Sequence, residues 1–147
     1  MGMKFLASFV LLAALSTGCG GDGGGTPTAP SANVPFSTVD LRVGTGAEAT
    51  IGRAALVNYT GWLYSTTAPD NKGTRFDSSL DPGRQPLPIP SLGSGFIQGF
   101  SMGVQGMRVG GLRRVVIPPN LGYGAAGSGS IPGNATLLFE IELLAVQ

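Results

Sequence analysis

The clearest alternation in the chain runs from Thr136 to Val146, where Leu137, Phe139, Ile141 and Leu143 fall on one side and Glu140 and Glu142 on the other. That is the period of a strand with one face on a core and one in water. Ser37 to Val43 alternates too, with Val39, Leu41 and Val43 opposed to Thr38, Asp40 and Arg42, which predicts a second half-buried strand. Ala54 to Tyr64 is strand-like, and Arg113 to Ile117 is a short β-branched run closed by Pro118 and Pro119. Between these segments the period changes. Phe96, Phe100 and Val104 stand four apart and Met107 follows, which predicts one amphipathic helix turned toward the sheet. Gly99, Gly103 and Gly106 each cost such a helix about 1 kcal/mol relative to alanine, so it should form only where it packs on the strands. Several antiparallel strands with one short helix predict an α+β domain.

The first 33 residues follow neither period. Lys4 precedes the apolar run Phe5 to Leu15, which is shorter than the roughly 20 residues of a spanning helix and has the form of an export signal. Leu15-Ser-Thr-Gly-Cys19 looks like a bacterial lipoprotein processing site. Cleavage before Cys19 would free its amino group and leave its thiol to carry lipid. Gly20 to Asn33 is glycine, proline and small polar residues, the composition of a flexible linker. The expected organisation is a signal peptide over 1–18, a lipidated cysteine and linker over 19–33, and a folded domain over 34–147.

Composition narrows the chemistry. A chain of 147 residues has room for one domain, and 25 glycines against a background of about 7 per cent imply many turns. Nine basic and eight acidic residues give a formal net charge of +1, with no basic patch to suggest nucleic acid. There is no histidine, and the single cysteine lies in the leader region. Histidine-based triads, cysteine nucleophiles and the usual zinc sites are therefore excluded, as is an intramolecular disulfide. Gly44, Gly46 and Ala49 are no dinucleotide fingerprint, since a strand pattern rather than a helix follows them. No cofactor or metal is expected, and any reaction should need no strong acid, base or covalent intermediate.

Tyr59-Thr-Gly, Phe76-Asp-Ser-Ser and the run from Tyr123-Gly-Ala-Ala-Gly through Ala135-Thr-Leu-Leu-Phe-Glu-Ile-Glu-Leu-Leu occur in that order. Together they resemble the FKBP-type peptidyl-prolyl isomerases, over roughly Phe36 to the C-terminus. The resemblance implies a curved antiparallel half-barrel sheet wrapped around one short α-helix, and an enzyme that accelerates Xaa-Pro rotation in exported proteins. The alternative is a proline-binding module or holdase that uses the same pocket with little catalysis. A purely structural lipoprotein is the third reading.

Carried over position by position, the resemblance places Tyr59, Phe76, Asp77, Phe96, Ile97, Phe100, Tyr123 and Phe139 around the pocket. Tyr59, Phe100 and Phe139 would form its walls and floor. From the residues alone, these aromatics read as ordinary core packing. Asp77 and Tyr123 are the implied catalytic pair, although Asp77 is equally suited to a turn or cap. The Ile97 N–H and the Tyr123 hydroxyl would bind carbonyls of the substrate, and Ile131 would give an apolar rim contact to the residue before proline. Leu87 and Ile89 match rim positions more weakly. Phe100 stands where relatives often carry tryptophan, implying a deeper pocket and altered affinity for macrolide inhibitors. Trp62, of opposite strand parity to Tyr59, should pack on the other sheet face, and Tyr64 to Arg75 should be a solvated loop. Expected partners are proline-containing segments of exported proteins and the membrane, reached through lipid on Cys19, with the chain a monomer in the bacterial cell envelope.

Overall fold

A computed structural model describes residues 34–147. The signal peptide over 1–18, Cys19 and the linker over 19–33 lie outside the described residues. Six antiparallel strands form one sheet: β1 (Ser37–Arg42), β2 (Ala55–Tyr64), β3 (Lys72–Ser78), β4 (Leu87–Ile89), β5 (Leu112–Ile117) and β6 (Leu137–Val146). The spatial order is β1-β5-β6-β2-β3, and β4 pairs with the first residues of β2 while β3 pairs with its second half. Among the described residues one α-helix, α1 (Gln98–Val104), lies against β5.

The long central pair β2 and β6 carries the alternation expected of it. Val57, Tyr59, Leu137, Phe139, Ile141 and Leu143 are buried beneath α1, with Val115 and Ile117 of β5 beside them. On the outer face, Lys72 sits over the Trp62 ring at 4.7 Å, so Trp62 packs opposite the core as its parity predicted. Leu138 breaks the simple alternation. It faces outward yet is 1% exposed, set in the ladder between Trp62 and Val116. Glu140 is not free in water either, since Lys72 and Arg114 each approach it to 2.9 Å. Burial alone would push its carboxyl up, but these two cations hold it below the usual value.

The glycines of α1 have a packing reason. A Cβ on Gly99 would stand 2.4 Å from Cγ2 of Ile117, and one on Gly103 would stand 2.7 Å from Cγ2 of Val115. The helix lies closer to β5 than any other residue at those positions would let it. It is also shorter at its start than the apolar spacing suggests. Ile97 is extended (φ −57°, ψ 139°), so Phe96 belongs to the preceding loop while still facing the same way as Phe100.

Two expectations are corrected. In β1 neither side is covered: all six residues are exposed, and the apolar Val39, Leu41 and Val43 stand at 56%, 44% and 73%. The opposite side carries Asp40, which accepts from Arg113 at 2.6 Å, while Arg113 also donates to the carbonyls of Gly103 and Gln105 at the end of α1. Arg113, not β1, fills the space at the end of α1, while Asp40 holds it from an exposed position and a bulge at Leu41 interrupts the strand. The stretch from Tyr64 to Arg75 is not wholly loop. A single 3-10 turn at Pro69–Asn71 leads directly into β3 at Lys72.

Candidate functional site

A cavity of about 550 Å³ opens between the sheet and the segment leading into α1. Tyr59 and Phe139 rise into it from β2 and β6, Phe100 from the helix, and Phe76 with Asp77 from the end of β3. Leu87, Gly95, Phe96, Ile97 and Tyr123 complete the rim.

Successive residues of a strand normally point to opposite faces, yet Phe76 and Asp77 both line the cavity. A bulge resolves this: Gly61 pairs with Asp77 and Trp62 with Arg75, leaving Phe76 as the extra residue. Gly61 makes room for the redirected ring, because a Cβ there would stand 2.6 Å from Phe76 and 2.8 Å from Phe139. The rings then contact edge to face. Phe76 and Phe139 are 5.5 Å apart at 85°, Phe100 and Phe139 5.3 Å at 82°, and Tyr59 and Phe100 5.8 Å at 85°. Such pairs add about 0.5–1.5 kcal/mol each beyond area burial, which fixes the walls before any ligand arrives.

The polar part is small and organised around Tyr59. Its hydroxyl donates to Oδ2 of Asp77 at 2.5 Å, and the Arg84 guanidinium donates to Oδ1 of Asp77 at 3.2 Å. Burial, reinforced by the neighbouring Asp77 carboxylate, pushes the Tyr59 hydroxyl up to about 12. It stays protonated at any ordinary pH. The Tyr59 backbone is held as firmly. Its N–H donates to Oγ of Ser79 at 2.9 Å, and its carbonyl accepts from Ser79 N–H at 2.9 Å and from the Ser78 hydroxyl at 3.2 Å. Ser78, Ser79, Arg84 and Gly95 are contributors that sequence reasoning missed. The two serines were in view beside Asp77, but their role depends on their pairing with a strand about twenty residues away.

Two further groups face the cavity with capacity to spare. The Ile97 N–H has no acceptor among the described residues. Tyr123 is 37% exposed, and the N–H groups of Gly122 and Gly124 on either side of it both donate to the Pro119 carbonyl. Its backbone is thus tied down at the edge of the cavity, although it sits in a glycine-rich loop.

Ile131 does not line the cavity. It exchanges two 2.9 Å backbone bonds with Ser128 and is 7% exposed, packed in the core. The tight turn responsible needs Gly127, where a Cβ would stand 2.3 Å from the Ile131 carbonyl oxygen. Ile89 is likewise buried and absent from the cavity wall, whereas Leu87 lines it.

Among the described residues, an antiparallel sheet and one short helix enclose an aromatic cavity with Asp77 and a few hydrogen-bond donors at its wall. The chain belongs to the FKBP-type peptidyl-prolyl cis-trans isomerase family, whose model matches residues 46–144, and it is an enzyme of that class. It is 51% identical over 109 residues to an FK506-binding protein of Neisseria meningitidis, covering 73% of this chain and 92% of that one. Among solved structures, AtFKBP13 superposes with a TM-score of 0.64 at 34% identity, covering 76% of this chain and 93% of that one. FkpA of Escherichia coli superposes with a TM-score of 0.65 at 35% identity over 79% of this chain, which spans 50% of the FkpA chain.

Proposed function

We propose that the cavity seats the proline of an exported polypeptide and lowers the barrier to rotation of the preceding peptide bond without covalent chemistry. The observation that carries this reading is the aromatic enclosure of Tyr59, Phe76, Phe100 and Phe139 with unspent donors at Ile97 and Tyr123. Amide resonance separates charge and sets a barrier of roughly 18–20 kcal/mol. A dry wall disfavours the planar, charge-separated amide relative to the twisted one. The proline ring rests on Phe100, the Ile97 N–H holds a carbonyl of the chain, and the Tyr123 hydroxyl is offered to a second. A millionfold gain asks for about 8 kcal/mol, within reach of desolvation together with two or three oriented hydrogen bonds. Macrolide ligands of the FK506 type would compete for the same walls.

The location is part of the proposal. Lys4, the apolar run from Phe5 to Leu15 and Cys19 support export and lipid attachment, and the Gly20 to Asn33 linker would let the domain reorient beside the membrane. The folded part acts as a monomer on the periplasmic side if the cell is Gram-negative. Acyl mass on Cys19 in protein extracted from native membranes is the expected finding, and an unmodified Cys19 overturns the anchor. Refolding of a protein limited by a cis-proline tests the activity. An isomerase accelerates the slow phase at substoichiometric concentration, whereas a holdase leaves its rate unchanged and only raises the yield.

A further inference from the structure

A second groove, of about 410 Å³, lies on the far side of Phe96 from the aromatic cavity, between α1 and the loop at Leu92 and Gly93. Phe96 lines both, so the two spaces share a wall. Leu92, Ile51 and Met102 give the groove an apolar lining, Gln98 and Gln105 stand at its edge, and no charged residue lines it. Ile51 and Met102 are 69% and 38% exposed, so both present apolar surface beside the aromatic cavity. Methionine adapts its shape readily to an incoming side chain.

We infer that this groove is a specificity subsite for the second residue after proline, and that it favours an uncharged apolar side chain there. The inference rests on the aromatic cavity being the proline seat. With the ring on Phe100, the carbonyl attached to the proline Cα is the one that reaches the Ile97 N–H, because the carbonyl before the ring must stay free to turn. The chain after proline then leaves over Phe96, whose ring centroid is 6.0 Å from that of Phe100. An extended chain advances about 3.3 Å per residue, so the second residue clears Phe96 and lowers its side chain into the groove. A carboxylate or ammonium arriving there would lose water and meet no countercharge. Discrimination at this position comes from Leu92, Met102 and Phe96 rather than from the cavity itself.

The test compares acetyl-Ala-Leu-Pro-Ala-Leu-Ala-amide with the same peptide carrying Asp as the second residue after proline, by NMR exchange with the intact protein. A kcat/KM about three- to tenfold higher for the Leu peptide is expected. Met102→Lys should cut the ratio to within about twofold or invert it, and Met102→Leu should keep it. Gln105→Lys, at an exposed position, serves if Met102→Lys does not fold. Equal kcat/KM for the two peptides, or a ratio unchanged by the lysine variant, overturns the subsite. Acetyl-Ala-Leu-Pro-amide ends at proline and reads the cavity alone. If it is not accelerated, the proline-seat reading has failed, and the groove is then judged by amide shifts of Leu92, Met102 and Gln105 on titration with the Leu peptide. Movement supports the groove as a binding surface, and stationary signals overturn it.

Discussion

The Tyr59 hydroxyl donates to Asp77 across 2.5 Å, joining the middle of β2 to the bulged end of β3 at the mouth of the aromatic cavity. Asp77 also accepts from Arg84 at 3.2 Å and from the Ser78 N–H at 2.9 Å. One carboxylate thus orients a wall residue, an entrance cation and its own strand end. Asp77→Val should lower kcat/KM about 10- to 100-fold, equivalent to about 1.4–2.7 kcal/mol of barrier. The Tyr59 hydroxyl loses its acceptor in that variant, so stability should fall as well, by about 1–3 kcal/mol. Denaturant unfolding measured beside the exchange assay separates the two effects.

Tyr59 should ionise far later than an ordinary tyrosine. Burial and Asp77 raise it from 10.0 to about 12, so the folded state binds the proton more tightly than the unfolded state. The stabilisation is fully present below pH 10 and is lost as pH rises through about 12. Ultraviolet difference titration of wild type against Tyr59→Phe should show one phenol with a late midpoint. A normal midpoint for Tyr59 would mean that neither its burial nor its bond to Asp77 persists in solution.

At the acid end the sign reverses. Asp40, held below its usual value of 3.8 chiefly by its hydrogen bond to Arg113, and Glu140, where Lys72 and Arg114 outweigh burial to hold it below 4.5, both bind protons less well when folded. Their contribution is present above about pH 4.5 and is lost as pH falls through the folded values. Chemical unfolding midpoints should therefore drop below pH 4.5, and less steeply in Asp40→Asn. Between pH 6 and 9, kcat/KM should be flat, because the chain has no histidine and the proposed chemistry transfers no proton.

Gly99→Ala and Gly103→Ala set helix propensity against packing. Alanine improves the isolated helix by about 1 kcal/mol, but its Cβ would meet Ile117 or Val115 well inside contact distance. Those β-branched side chains have little freedom to move aside, and overpacking typically costs about 1–3 kcal/mol. A net loss of stability is expected, seen as a lower denaturant midpoint at unchanged m-value.

These cases mark how far the sequence could be read. The inward set of β6 and the parity of Tyr59 against Trp62 were legible because both strands are central, with one face under the helix. Alternation in β1 was just as regular but misleading. It separates two sides without saying whether either is covered, and at the edge of the sheet both Asp40 and Val39 remain exposed. Phe96 kept helical spacing although it precedes the helix, since an extended Ile97 still aims the two rings together. At the site, the aromatic walls, Asp77 and Tyr123 were found through motif resemblance. Ile131 lies in the core rather than on the cavity wall, because a four-residue backbone bridge to Ser128, invisible in a residue pattern, holds it there.

The central claim is that the aromatic cavity organised by Tyr59 and Asp77, with Tyr123 at its edge, turns over prolyl bonds. NMR exchange spectroscopy on a short Leu-Pro peptide tests it most directly, because it reads cis-trans interconversion with no coupling enzyme. The account predicts fast exchange with catalytic amounts of wild-type protein, strongly reduced exchange with Asp77→Val, and a loss of about three- to tenfold with Tyr123→Phe, the value of one hydrogen bond. Exchange at the uncatalysed rate with folded wild-type protein, or full activity in both variants, would contradict it.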